Sequence, residues 1–210
     1  MHLVITLLIL AVGPTQAQTP NAQDLARRIQ AHYDTVNTFS AQFTQSYADG
    51  LFKSGGAEKG ELKLKKPNRF RMVYTDPERK VFVADGSKLY SHFPADKLGT
   101  IQDLPKDGEG STALLFIAGR GSLVNDFDAA MAGKQVDGEW QLVFTPRRRQ
   151  AEFKTLTLMV DRSTLALRGY AWTDHDGGTT TTRLSDLREN VPVADSEFTL
   201  KFPPGTHIEK

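Results

Sequence analysis

The sequence contains no cysteine. That absence excludes disulfides, thiolate metal sites, a cysteine nucleophile and lipid attachment through an N-terminal cysteine. An excess of either charge is also missing: 26 Lys and Arg stand against 25 Asp and Glu, a formal charge of +1. Bulk electrostatics therefore call for no nucleic-acid partner. No apolar run is long enough for a membrane span. Leu3–Val12 covers about ten residues, against the roughly 20 that a transmembrane helix needs. The five histidines, His2, His32, His92, His175 and His207, are scattered, and no H-E-x-x-H, G-x-S-x-G, G-x-G-x-x-G or Walker pattern occurs. The sequence thus presents no catalytic constellation, no metal set and no cofactor motif, and the expectation is a protein that is not an enzyme.

What is present begins with a leader. The Leu3–Val12 run is followed by Gly13-Pro14 and the small-residue sequence Thr15-Gln16-Ala17 before Gln18. It reads as a signal peptide over residues 1–17, cleaved on export, although its start carries no Lys or Arg; a buried first strand or helix is the alternative. Residues 18–210 then form one domain, since 210 residues suit a single domain and no linker-like composition shift occurs. With no cysteine to acylate, the mature chain is expected to be soluble and not membrane-anchored.

Thr19-Pro20-Asn21 is a helix start, and Ala22, Leu25, Ile29, Tyr33 and Val36 recur at helical spacing, predicting an amphipathic helix to about Asn37. The period then becomes two. Phe39, Ala41 and Phe43 alternate with Ser40, Gln42 and Thr44; Leu62 and Leu64 with Glu61, Lys63 and Lys65; Phe70, Met72 and Tyr74 with Arg69, Arg71 and Thr75. Successive side chains on a strand point to opposite faces, so these strands carry an apolar face and a polar one. Asp49-Gly50, Asp85-Gly86, Asp137-Gly138 and Asp176-Gly177-Gly178 are hairpin signals between apolar runs. Further strands are expected at 89–93, 100–104, 140–145, 153–160, 165–173, 179–187 and 198–202. Regular succession of this kind indicates a meandering antiparallel sheet. Between Gly110 and Gly119, Ser111-Thr-Ala-Leu-Leu-Phe-Ile-Ala118 breaks the alternation; it reads as a short apolar helix placed over the mouth of the sheet, or as a short buried strand.

Two polar motifs have plain structural readings beside functional ones. Asp174-His175-Asp176 could hold a cation, but Asp and Gly at that spacing also build a tight turn. Arg147-Arg148-Arg149 could meet lipid phosphates or an acidic partner, or form a solvated loop. The apolar stripes themselves serve either a packed core or a lipophilic cavity, and periodicity does not separate the two.

The ordered blocks resemble a known family. Phe39-Ser-Ala-Gln-Phe43-Thr-Gln45, Gly60-x-Leu62, Lys66-Pro67-Asn68-Arg69-Phe70-Arg71, Val83-x-Asp85-Gly86-x-x-Leu89-Tyr90, Ser111-Thr112-Ala113-Leu114-Leu115, Trp140-x-Leu142-x-x-Thr145-Pro146, Phe153-x-x-Leu156 and Phe198-x-Leu200-x-x-Pro203-Pro204-Gly205 are similar to the periplasmic outer-membrane lipoprotein carriers, the LolA-like proteins. The resemblance implies an unclosed antiparallel β-barrel, a strongly curved sheet with a helical lid and one leading amphipathic helix. It implies a soluble periplasmic carrier that takes triacylated lipoproteins from an inner-membrane ABC lipoprotein-releasing transporter and delivers them to an outer-membrane lipoprotein receptor. A monomer suits such a shuttle. A carrier or sensor of another lipid is the alternative. Mapped on this chain, Phe43, Leu62, Leu64, Phe70, Met72, Tyr74, Val81, Val83 and Leu89 would line the acyl-chain site, and Leu114, Leu115 and Phe116 would belong to its lid. Some carriers place an Arg before the Pro, holding the empty lid shut. Here that position is Lys66, so lid control could pass to Arg69 or Arg71. Met72 stands where the family has Trp, a softer side chain that tolerates varied ligand shapes.

Overall fold

The computed structural model describes residues 20–48, 56–104, 121–150 and 153–210. The first element, α1 (Ala22–Thr35), starts where Asn21 accepts a hydrogen bond from the Gln23 amide, and ends where Val36 turns to extended backbone. After it come β1 (Thr38–Ala48), β2 (Glu58–Lys65), β3 (Arg69–Asp76), β4 (Lys80–Asp85), β5 (Lys88–Phe93) and β6 (Leu98–Asp103). A single helical turn, α2 (Leu123–Asp126), precedes β7 (Phe127–Met131), β8 (Glu139–Pro146), β9 (Thr155–Asp161), β10 (Leu167–Thr173) and β11 (Thr179–Glu189). A 3-10 turn (Asp195–Phe198) and the short β12 (His207–Glu209) complete the chain.

The twelve strands among the described residues belong to one sheet, in the order β12-β6-β5-β4-β3-β2-β1-β11-β10-β9-β8-β7. Every pairing among them is antiparallel except β12 with β6. The edge strands β7 and β12 do not meet, so the barrel is unclosed. β1 is the seam: it pairs with β2 on one side and with β11, the partner of Phe39 being Glu189, on the other. Register shifts at Ser40/Gln42, Lys59/Gly60 and Leu167/Gly169 bend the strands around this seam. The hairpin glycines Gly86, Gly138 and Gly177 adopt positive φ of 108°, 77° and 95°, the conformation for which Asp-Gly turns are suited.

The core lies between the concave face of the sheet and α1. Leu25, Ala26, Ile29 and Tyr33 of the helix pack with Phe39, Leu62, Leu64, Phe70 and Met72 from one half of the sheet and Leu142, Leu158 and Tyr170 from the other. A separate apolar cluster covers part of the convex face. There Val81, Val83 and Phe198 are buried, with Val73, Tyr90, Val193 and Leu200 packed around them. The expected strand at 198–202 is absent. After the 3-10 turn the chain runs over the convex face as a strap, its apolar side chains facing the sheet without joining the ladder. The strap closes over Gly99, where a Cβ would stand 2.5 Å from the Phe202 ring. Residues 1–17, the Asp49-Gly50 turn and the apolar segment carrying Leu114, Leu115 and Phe116 lie outside the described residues.

Candidate functional site

The alternation on β1, β2 and β3 aims Phe43, Leu62, Leu64, Phe70, Met72 and Tyr74 at the concave face, where all six are at least nine-tenths buried. An aromatic series crosses this floor. Phe43 meets Tyr74 edge-on at 4.9 Å, Tyr74 meets Phe82 at 5.8 Å, and Phe82 meets Phe93 at 5.7 Å. Gly60 makes the first contact possible. It lies opposite Phe43 and Tyr74 in the ladder, and a Cβ there would fall 2.6 Å from the Phe43 ring and 2.1 Å from the Val73 carbonyl. The far half of the floor is aliphatic and aromatic too, with Leu142, Phe144, Leu156, Leu158 and Tyr170 almost fully buried.

Two residues expected on this floor sit elsewhere. Val81 pairs with Val73, and Val83 with Arg71, so both point to the convex face and pack under Phe198. Phe82 and Ala84 take the concave positions instead, opposite Met72 and Phe70. Leu89, opposite Ala84, packs at the edge of the concave cluster. The same parity removes Arg69 and Arg71 from any contact with α1. Arg69 donates to Asp195 at 2.9 Å and Arg71 to the Glu197 carbonyl at 3.3 Å. With Lys65 on Asp195 and Lys63 on Glu197, they fasten the C-terminal strap.

Lys66 does engage a helix, and it is α1. Its ammonium donates to the Tyr33 carbonyl in the last turn. A cation there meets orphan carbonyls and the negative end of the helix dipole. Burial lowers the Lys66 pKa, opposed by the nearby Asp34 carboxylate. The Tyr33 hydroxyl accepts from the Leu167 amide at 2.7 Å and donates to Glu189 at 3.3 Å, and His32 Nε2 lies 3.0 Å from the same carboxylate. The C-terminal end of α1 is thus bolted to the start of β10, the end of β11 and the turn that follows β2. Elsewhere along the helix Gln23 Oε1 accepts from the Ala129 amide at 3.4 Å and Gln30 Oε1 from the Leu123 amide at 2.8 Å, and the helix packs against α2 and β7.

One polar group interrupts the greasy floor. Tyr74 donates to Gln45 Oε1 at 2.7 Å, and Gln45 Nε2 donates to Thr182 Oγ1 at 3.0 Å. Beside Thr182 in the ladder stands Tyr170, stacked on Trp172 at 6.1 Å. Burial pushes the Tyr170 hydroxyl up to about 12, eased by the Thr182 hydroxyl, yet the two do not meet in hydrogen-bond geometry. The buried Tyr170 oxygen has no partner among the described residues. Such an orphan costs about 1–3 kcal/mol. Sequence reasoning misses Gln45, Phe82, Tyr170 and Thr182 as parts of the site. Gln45 is marked only as a member of the first motif.

The remaining motifs resolve plainly. Asp174 Oδ1 accepts from the amides of Asp176 and Gly178, which is a turn between β10 and β11. Arg147 pairs with Asp128 at 3.0 Å. Among the described residues no cluster of His, Asp and Glu is placed to hold a metal, and no helix is long and apolar enough to cross a membrane.

A family model described as outer membrane lipoprotein carrier protein LolA matches residues 34–201. The chain belongs to the LolA family. A Chromohalobacter salexigens protein named outer-membrane lipoprotein carrier protein is 28% identical over 202 residues, covering 95% of this chain and 94% of that one. A Salmonella typhi protein of the same name is 28% identical over 186 residues, 89% and 88% of the two chains. An uncharacterized conserved protein from Thermus thermophilus shares the fold, with a TM-score of 0.55 at 10% identity over 90% of this chain and 98% of that one. Within this LolA-family chain the leading helix and the half-barrel account for nearly all the buried apolar surface among the described residues.

Proposed function

We propose that this protein is a periplasmic carrier that holds the acyl chains of lipoproteins between the concave face of its sheet and α1. The names of its relatives support the carrier role, and the reading extends to a hand-over from an inner-membrane lipoprotein-releasing transporter to an outer-membrane receptor. The observation that carries it is the combination of a continuous apolar floor with an amphipathic helix, α1, packed over it among the described residues. The reading is of a site that binds and releases without chemistry.

Energetics explain why the helix matters. A buried CH₂ is worth about 0.8 kcal/mol, so one acyl chain of about 16 carbons gains roughly 12 kcal/mol. Two or more such chains would exceed the practical ceiling of about 18–21 kcal/mol and would not be released on a useful timescale. Displacing Leu25 and Ile29 of α1 from the floor costs about 1.5–3 kcal/mol for each side chain. The helix therefore offsets part of the gain on loading and recovers it on unloading.

Native mass spectrometry of the mature protein with a purified triacylated lipoprotein tests the reading, alongside Phe70→Glu. A one-to-one complex that the variant loses is the expected result. Absence of a complex with correctly folded wild-type protein would overturn it.

A further inference from the structure

The Tyr170 hydroxyl is the feature that lipid-chain burial does not explain. Phenylalanine would fill the same space on the concave floor and leave nothing unpaired. The oxygen lies at the end of a polar series in which Tyr74 donates to Gln45 and Gln45 donates to Thr182. Tyr170 itself is 1% exposed and its oxygen is unpartnered among the described residues. A buried hydroxyl held in this way is free to donate to an acceptor that arrives with a ligand.

We propose that Tyr170 is a specificity-determining residue whose hydroxyl donates to an acyl carbonyl oxygen of the bound lipid, so that the site reads the linkage at the head of a chain as well as its hydrocarbon. This rests on the carrier reading and names the chemistry it recognises. Placement sets the direction of the ligand. Tyr170, Gln45, Tyr74 and Thr182 all lie toward the end of the sheet where β1, β3 and β10 finish and β11 begins. From Gln45 back to Phe39 the floor of β1 runs six residues, roughly 20 Å at about 3.4 Å per residue. The carbonyl sits at the Gln45 end, and the hydrocarbon extends along this floor toward the bolted end of α1. The acceptor is uncharged: the Lys80 ammonium over the Tyr74 ring is already paired with Glu58, and the surrounding walls are apolar.

The test compares two probes of equal chain length and headgroup, a dipalmitoyl ester lipid and its dihexadecyl ether analogue, offered to the mature protein and to Tyr170→Phe. Binding is read from the fluorescence of Trp172, which stacks on the residue in question. The wild type should hold the ester about fivefold more tightly than the ether, and Tyr170→Phe should bind both with the wild-type ether affinity. Equal wild-type affinities for ester and ether would overturn the proposal while leaving the carrier reading intact. Binding of neither probe would overturn both. Melting provides an independent check: Tyr170→Phe should melt no lower than the wild type, because the hydroxyl has no partner to lose. A clear fall would place the hydroxyl in the protein's own network and refute the assignment.

Discussion

Phe43 and Tyr74 touch edge-on at 4.9 Å across a strand that separates them, because the residue between them on β2 is Gly60. Replacing Gly60 by alanine drives a methyl into the Phe43 ring and the Val73 carbonyl. Gly60→Ala is expected to lose about 3 kcal/mol of stability in urea unfolding, at the upper end of overpacking costs. It should also weaken uptake of a hydrophobic fluorescent probe, since the aromatic series begins at this contact.

Tyr33 decides how firmly α1 is seated. Tyr33→Phe leaves the Leu167 amide without its 2.7 Å acceptor and removes the donor to Glu189. A loss of about 1–3 kcal/mol follows. Because the lost bonds are those of the fixed end, probe entry measured by stopped flow should become faster. An unchanged entry rate with the stability loss present would show that α1 does not gate the floor.

The two faces of β4 separate lipid binding from stability. Phe82→Glu places a charge on the concave floor and should abolish acyl binding. Phe198→Ala empties a 2%-exposed site on the convex face, costing about 3–5 kcal/mol, and should leave the affinity of the remaining folded protein unchanged. Chemical unfolding and native mass spectrometry on both variants read the contrast.

Alkaline pH probes the buried tyrosines. Burial raises the pKa of Tyr33, Tyr74 and Tyr170 above the ordinary 10.0, the last to about 12. A group whose folded pKa is raised contributes stability that is full below its unfolded value and is lost as pH climbs through the folded one. Stability should therefore fall from about pH 10 upward, with Tyr170 contributing to the loss until about pH 12. Phenolate absorbance from these three residues should rise together with loss of near-ultraviolet dichroism. Separate titration in the folded state would contradict the burial described here.

Acid acts through a different pair. Arg183 donates two hydrogen bonds to Glu139, and these hold the carboxyl below its ordinary 4.5. A depressed folded pKa contributes stability above the unfolded value that disappears as pH falls through the folded one. Glu139→Gln should thus be less stable than the wild type at neutral pH, and the difference should shrink steadily below about pH 4.5 in urea unfolding.

Legibility in the sequence tracks solvent. On β2 and β3 one face is charged, so alternation alone assigns Leu62, Leu64, Phe70, Met72 and Tyr74 to one side. Lys80-Val-Phe-Val-Ala-Asp85 gives no such contrast, because Phe82 and Ala84 face the concave core while Val81 and Val83 are covered by Phe198. The cover comes from far down the chain, and local pattern carries no trace of it. Phe198-Thr-Leu-Lys-Phe202 alternates like a strand for a related reason: it lays alternate side chains on a sheet, but on its face rather than its edge. Arg69 and Arg71 follow as a corollary. The motif that contains them also contains Lys66, and only the folded chain shows that Lys66 turns to α1 while the two arginines turn to the strap. Tyr170 could not be singled out, since a buried hydroxyl without a partner is a property of three dimensions.

The seam at β1 also governs the order of events in folding. Its partners are β2, which follows directly, and β11, whose Glu189 pairs with Phe39 from near the other end of the chain. A chain delivered amino terminus first can build the β1–β6 meander early. It cannot join the halves until β11 has emerged, or lay down the strap until the residues after it follow. Long-range pairing of this kind slows folding and leaves an unsatisfied strand edge in the interval. The exposed side of β1 is therefore the place where a nascent chain most needs protection, and the two halves become one container only when β11 has arrived.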